Sequence, residues 1–437
     1  TWGLSLLFRL EPRKQRDCVC PSGYPRVRPG LNIKRRQAAL KIGIFTDSFK
    51  PYTSGVVTSI CTFREELEKL GHQIYIFAPS YPGYSENEYG VYRYYSVPSP
   101  TNPDYTLAIP IFPGMNSLLK RLDLDIIHVH SPFTMGRVGL HYARRYDTPI
   151  VFTYHTLYDQ YVHYVPVAQD LARDVTIKYS KNFCNQCDHI VVPSREVETI
   201  LTELNIKTPR SVIPTGVPIE KFDQGDRQWL RNNYSVPEKN RILLFVGRLT
   251  KEKNLDFLLD AFKKIHRQTP DTSLVITAQG PMEGELKKHA VRLGLDLKQD
   301  VIFTGALPFD TLVNVYFSAD LFVFSSVTET QGLVLIEAMA AGLPVVAVRA
   351  YGVQDMVDDG VNGYLTPCSI PEFSQAVCKL LEDDKTYQKF SRNALLKADS
   401  LSSHNMARKL EELYLQLDIR NGRRRLRMKD LIGWFGS

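Results

Sequence analysis

From Lys41 onward the apolar positions fall into two kinds of segment that alternate. Short unbroken runs such as KIGIF, QIYIFAP, IIHV and PIVFT are separated by longer stretches, VVTSICTFREELEKLG among them, whose apolar residues recur at helical spacing. Unbroken runs of strand length predict strands covered on both faces, and helical stretches between them predict parallel crossovers. The alternation stops at IPTGVPIEKFDQGDRQWLRNNYSVPEKN (213–240), which is dense in proline, glycine and charge and reads as a linker with a short entry helix. It resumes at RILLFVG, continues through TSLVITA, DVIFTGA, LFVFSS, PVVAVRA and NGYLTP, and gives way to helices from about 370 to 418. The pattern predicts an α/β chain of two doubly wound, Rossmann-like domains at 41–216 and 241–395, joined by a linker at 217–240. A closing helix at 396–418 and a basic amphipathic tail at 419–437 follow. Ligands of such sheets bind in the crevice beyond the carboxyl ends of the strands, so the site is expected in the cleft between the domains.

Charge narrows the function classes. The net charge is +7, and residues 1–40 account for all of it: Arg9, Arg13, Lys14, Arg16, Arg26, Arg28, Lys34, Arg35 and Arg36 stand against only Glu11 and Asp17. The rest of the chain is balanced, which argues against a nucleic-acid binder. Residues 1–40 read as a basic leader outside the fold. Its apolar stretch WGLSLLF is short for a secretion signal and lacks a basic segment before it. No run approaches the roughly 20 apolar residues of a membrane span. The expected location is cytoplasmic, peripheral on the inner face of the cell membrane. The seven cysteines are scattered, which suits a reducing compartment. Cys184 and Cys187 have a metal-like spacing, but without a second pair or a nearby histidine they read as buried helix residues.

The candidate chemistry lies at the strand ends. In LLFVGRLTKEKN, Gly247 and Arg248 close a strand and Lys253 precedes a helix. Two cations beside a helix N-terminus suit a diphosphate; the competing reading is a solvated basic loop. Gly55 begins a helix after the first strand. Neither the three-glycine dinucleotide fingerprint nor a phosphate-binding Gly-Lys-Ser/Thr loop occurs, which disfavours oxidoreductases and P-loop enzymes. Glu337 lies about five residues into its helix, roughly 7 Å from the helix start, a reach that suits a diol such as a ribose. Glu329, in the polar break before that helix, suits sugar hydroxyls, with the amides of Thr330, Gln331, Gly332 and Leu333 aimed at the same place. Two carboxylates also fit the acid and base of a hydrolase, or two unrelated surface acids. By strand alternation His128 and His130 share a side, with His130 at the exit facing ligand, His128 packed and His155 facing the cleft. A three-histidine metal site would need the strands to converge closely.

Together these segments resemble the retaining glycosyltransferases of family 4, which have the GT-B fold. The resemblance spans about 41–418 and is carried by TSGV, HVHSP, IPTGV, VGRLTKEKN, QGP and ETQGLVLIEAMAAGLPVVA, in which Glu329 and Glu337 match the paired-glutamate motif of the family. It implies that Arg248 and Lys253 hold a nucleotide diphosphate with Gly247 and Gly55, that Glu337 holds the ribose, and that Glu329 with the backbone of 330–333 holds the donor sugar. His130 and Glu329 would act at the reacting centre and His155 on the acceptor side. Ser54, Ala278, Gln279, Tyr351 and Asp355 depart from the usual residues and bear on the donor sugar. TDSFKPYTSGVVTSI and YHTLYDQYVHYVP look most like bacterial 1,2-diacylglycerol 3-glucosyltransferases. The implied partners are UDP-glucose, a lipid acceptor and an anionic membrane surface, with no nucleic acid and no metal cofactor. A lipid mannosyltransferase and an enzyme with a soluble acceptor are the alternatives, followed by an epimerase or a non-catalytic sensor. In the tail, Met428, Leu431, Ile432 and Phe435 fall on one helical face behind a run of arginines, and this segment is expected to touch lipid.

Overall fold

The computed structural model describes residues 39–85, 88–99, 105–155, 169–350 and 352–434. Expectations for the leader, for 156–166 of the acceptor stretch and for Tyr351 fall outside these residues, as do the tail side chains from Arg423 onward.

In chain order the first half comprises β1 (Lys41–Phe45), α1 (Gly55–Lys69), β2 (Gln73–Pro79), β3 (Val91–Tyr94), β4 (Ser96–Pro98), β5 (Thr106–Ala108), α2 (Met115–Leu122), β6 (Ile126–Val129), α3 (Thr134–Tyr146), β7 (Ile150–Thr153), α4 (Gln169–Cys184), β8 (His189–Val192), α5 (Arg195–Glu203) and β9 (Arg210–Val212). The second comprises α6 (Trp229–Tyr234), β10 (Arg241–Val246), α7 (Leu255–Gln268), β11 (Thr272–Thr277), α8 (Glu283–Arg292), β12 (Val301–Phe303), α9 (Phe309–Ser318), β13 (Leu321–Phe324), α10 (Leu333–Ala340), β14 (Val345–Val348), α11 (Val353–Met356), β15 (Gly363–Thr366), α12 (Ile370–Glu382), α13 (Asp384–Ser400) and α14 (Ser403–Trp434).

Two parallel sheets result, one ordered β3-β2-β1-β6-β7-β8-β9 and the other β12-β11-β10-β13-β14-β15. In each sheet the strand order reverses beside its first strand, between β1 and β6 and between β10 and β13. Such switch points open a crevice at the carboxyl ends. The unbroken apolar runs are buried on both faces as the pattern demands: Phe245, Phe322, Val323 and Phe324 have no exposed surface. Each such side chain contributes about 1.5–3 kcal/mol by leaving water.

The antiparallel pair β4 and β5 was not legible, because three-residue strands carry too little periodicity to announce themselves. The C-terminal end also differs from expectation. The helix expected to close the fold at 396–418 is divided between α13 and α14, and α14 runs on past 418 as one helix. Met406, Ala407, Leu410, Leu413, Tyr414 and Leu417 carry it back onto the first sheet's core beside Ile42, Ile44 and Ile60. Buried His72 and Glu411, 3.0 Å apart, pin it there.

The chain therefore passes between the sheets twice, and the two crossings touch. Val217 N–H donates to Leu401 O (3.2 Å) and Ser403 N–H to Val217 O (2.8 Å). Gly216 is required by this approach, since a Cβ there would lie 2.5 Å from the Ser402 carbonyl oxygen. Among the described residues no helix is long and apolar enough to cross a membrane.

Candidate functional site

Four loops reach the cleft from the two switch points. On the first sheet these are the segment from β1 to α1 and the exit of β6; on the second, the exits of β10 and β13. Ser54 opens α1 by accepting from the Val57 N–H (3.3 Å), which leaves Gly55 exposed at the helix start. Gly247 follows β10, and Arg248 beyond it is exposed, its guanidinium without a hydrogen-bond or ion-pair partner among the described residues. Lys253 ends a 3-10 turn, and its Nζ donates to Glu329 Oε1. Ser325 and Ser326 lock that turn to the end of β13 through the carbonyls of Lys253 (2.7 Å) and Glu252 (3.2 Å). Lys253 of the sequence-predicted clamp and the first glutamate are thus paired, each side chain less than a fifth exposed.

Gly332 starts α10 at φ +79°, a left-handed conformation that a side chain would strain. Its apolar neighbours Leu335, Ile336, Ala338 and Met339 are fully buried, which makes Glu337 a lone carboxylate in an otherwise apolar helix. Such a group needs a partner. Tyr316 of α9 supplies it, donating to Oε2 at 2.7 Å, a contact sequence reasoning missed. Burial holds the Glu337 carboxyl above its ordinary range, with the tyrosine bond opposing that rise. The same carboxylate lines a cavity of about 280 Å³ shared with Lys50 and Thr53 of the first domain, and with Lys221, Phe309 and Leu333. Glu337 therefore presents a hydrogen-bond acceptor to a pocket formed by both halves of the chain.

The backbone amide of Gln331 is the expected donor contact, and its side chain has a separate role. The side chain of Gln331 does not face the site: its Oε1 accepts from Thr215 N–H (2.9 Å) and its Nε2 donates to Thr215 O (2.6 Å). What Gln331 can offer a ligand is its backbone. Asp355, one of the departures from the family pattern, also crosses between the halves and accepts from the Arg195 N–H at the start of α5 (2.5 Å). Neither contact is local in sequence, so periodicity could not reveal it.

At the exit of β6 both His128 and His130 are buried, and they differ in their partners. His128 is buried and bonded through both ring nitrogens, to Tyr414 of α14 (2.6 Å) and to Thr153 (2.7 Å). His130 Nδ1 lies 2.8 Å from His155 Nε2. The other nitrogen, Nε2, is buried with no hydrogen-bond partner among the described residues, a state that ordinarily costs about 1–3 kcal/mol. Burial pushes the His130 imidazole well down from its ordinary value, helped by His128 and His155, and lowers His155 to about 4. The pair is therefore neutral at pH 7, with one proton between the facing nitrogens. Beside it Asp47, which sequence reasoning passed over, accepts from Ser131 Oγ and from the Met135 N–H (3.1 Å) and fixes the start of α3. No described contact joins the histidines to the donor loop.

Among the described residues no group of histidine, cysteine and carboxylate side chains is arranged to hold a metal ion, and Cys184 and Cys187 are buried in the first core. Asp125, which with Asp123 forms an Asp-x-Asp pair of divalent-ion spacing just before β6, accepts from Lys41 N–H (2.8 Å) at the amino end of β1, away from the cleft.

The His128 environment predicts a pH effect. Burial, and secondarily His155, holds its imidazole at about 3, whereas a free histidine titrates near 6.5. Below that pH the unfolded chain takes up a proton that the folded chain refuses. Stability from this ring is therefore complete above about 6.5 and is lost as pH falls toward 3. Denaturant unfolding at pH 7, 6 and 5 should show a steeper decline for the wild type than for His128→Gln, by up to about 1.4 kcal/mol per pH unit. Parallel declines would contradict this.

Known proteins resemble this chain in sequence and in fold. The family profile described as Glycosyltransferase Family 4 matches residues 53–221, and that described as Glycosyl transferases group 1 matches 226–397. The alpha-monoglucosyldiacylglycerol synthase of Streptococcus pneumoniae is 31% identical over 389 residues, 87% of this chain and 87% of that protein. The chain belongs to glycosyltransferase family 4. This transferase is also 29% identical over 403 residues to the Acholeplasma laidlawii protein of the same name, covering 88% of the chain and 99% of the relative. In fold it matches the sucrose-phosphate synthase of Thermosynechococcus elongatus with a TM-score of 0.69 at 21% identity, over 86% of this chain and 99% of that one. The expected GT-B architecture is thus the observed one, with two Rossmann-like domains facing a cleft.

Proposed function

We propose that the transferase moves glucose from UDP-glucose to diacylglycerol at the cytoplasmic membrane surface, with retention of the anomeric configuration and without a metal ion. The observation that carries this reading is the pair of relatives whose names specify an α-glucosyl diacylglycerol product and which match along nearly their whole length. The site is consistent with it. Arg248 and Lys253 provide positive charge for a diphosphate, and Glu337, which lines the cavity between the halves, an acceptor for a ribose diol. Glu329 and the first-turn amides of α10 suit sugar hydroxyls. On this reading the bond from C1 to the diphosphate oxygen breaks as the bond from C1 to the acceptor oxygen forms on the same face. The acceptor proton passes to the departing phosphate. The protein's contribution is positioning and stabilisation of the charge growing on the diphosphate. His130, neutral and with a free Nε2, would meet the reacting sugar, and His155 the acceptor side.

An acceptor in a bilayer suits the surface near the first sheet. Val97 and Leu107 face each other across β4 and β5 and are both exposed, as are Tyr95 and Ile111. Lys120 and Arg121 follow on α2. The basic tail would add a second contact. Mass spectrometry after incubation with UDP-glucose, UDP-galactose or GDP-mannose and mixed vesicles tests the reading: a monohexosyl diacylglycerol from UDP-glucose supports it, and transfer only to soluble acceptors overturns it. The position of the Asp-x-Asp pair away from the cleft supports metal independence. Activity should therefore persist in excess EDTA; loss in EDTA with recovery on manganese would refute that part.

A further inference from the structure

Thr215 lies in the first crossing between the sheets, and all three of its polar groups are committed. Its N–H and C=O are both taken by the Gln331 side chain, and its Oγ1 donates to Ser59 Oγ at 2.8 Å. Gln331, Thr215 and Ser59 are all buried. A primary amide that both donates to and accepts from one residue's backbone fixes position and plane together, as a strand neighbour would. Gln331 stands two residues after Glu329 and two before Leu333, the first residue of α10. Ser59 stands one turn after Gly55 on α1, the helix whose start reaches the cleft from the other domain. Three hydrogen bonds therefore tie the donor loop to the crossing segment and to α1.

The loop's other anchors stay within its own domain: Glu329 O accepts from the Gly352 N–H (2.8 Å), and its carboxylate takes Lys253 Nζ. If the crossing segment moves relative to the second sheet, the two amide bonds must break or the loop must follow. We infer that Gln331 is a positioning residue whose side chain couples movement of the two domains to the placement of Glu329 and the first-turn amides of α10. This rests on the donor-loop reading given above, but its physical core, the coupling, exists without ligand.

Three variants separate the possibilities. Gln331→Met removes both bonds at similar volume, and Gln331→Glu keeps the acceptor for Thr215 N–H while setting a carboxylate oxygen against the Thr215 carbonyl. Ser59→Ala removes the far link and guards against a failure of the first two to fold. In the ligand-free protein, amides of 213–217 and of 330–334 should exchange faster together in both Gln331 variants, by about tenfold or more, while β13 is unchanged. In steady-state assays KM for UDP-glucose should rise about tenfold and kcat should fall, with the Kd of UDP within about threefold of wild type. Ser59→Ala should shift the same quantities less and in the same direction. Unchanged exchange, faster exchange confined to one of the two segments, or equal weakening of UDP and UDP-glucose would overturn the inference. Failure of the wild type to use UDP-glucose would instead count against the donor assignment, and the exchange result would still decide the coupling.

Discussion

Arg248→Ala and Lys253→Ala are expected to lower kcat/KM by about 10²–10³, the loss typical when one preorganised group that stabilises transition-state charge is removed. Their stability effects should differ. Arg248 is exposed and unpartnered among the described residues, so its truncation should change unfolding free energy by no more than about 0.5 kcal/mol. Lys253 is largely covered and paired with Glu329. Its removal strands a carboxylate where the sugar and diphosphate would lie, which costs stability and also repels the donor. Glu329→Gln in the Lys253→Ala background should therefore restore the unfolding free energy without restoring turnover. The measurements are a denaturant titration and initial rates over a range of UDP-glucose. Near-normal kcat/KM in either single variant would remove that residue from the clamp.

The second large effect is expected at His130. Its Nε2 is buried without a partner among the described residues, and its Nδ1 is held by His155, so the ring is oriented with one nitrogen free. A contact that tightens only as the sugar bond breaks affects turnover and leaves ground-state affinity alone. His130→Ala should lower kcat by about 10²-fold or more while the Kd of UDP stays within about threefold. His155→Ala should act in the same direction but less, because it removes the support and keeps the ring. Weaker UDP binding with normal turnover at saturation would place His130 in ground-state binding.

The parts of this site that were legible in the sequence are those set by local periodicity. Strand alternation put His128 and His130 on one side with His130 at the exit, and helical rise put Glu337 a little more than one turn into α10. The arrival of Gly247 and Lys253 at strand and helix ends followed from the same patterns. The parts that were not legible depend on partners distant along the chain. Gln331 looked like one more donor-loop residue, yet the residue that determines where its side chain goes, Thr215, is 116 positions away. Tyr316 was an ordinary aromatic in an amphipathic helix until the fold set it against Glu337. Asp355 appeared only as a departure from a pattern, while in the structure it accepts from the first turn of α5. The return of α14 to the first sheet follows the same rule: His72 and Glu411 are 339 positions apart, and nothing near either residue announces the pairing.

The central claim is retaining transfer of glucose to diacylglycerol, and the configuration of the product tests it most directly. Purified transferase incubated with UDP-glucose and diacylglycerol vesicles should yield a glycolipid whose anomeric proton, in one-dimensional proton NMR, shows the small coupling of an α-glucoside. A β-glucoside, or no glucosyl diacylglycerol under conditions in which UDP is released, would contradict the account.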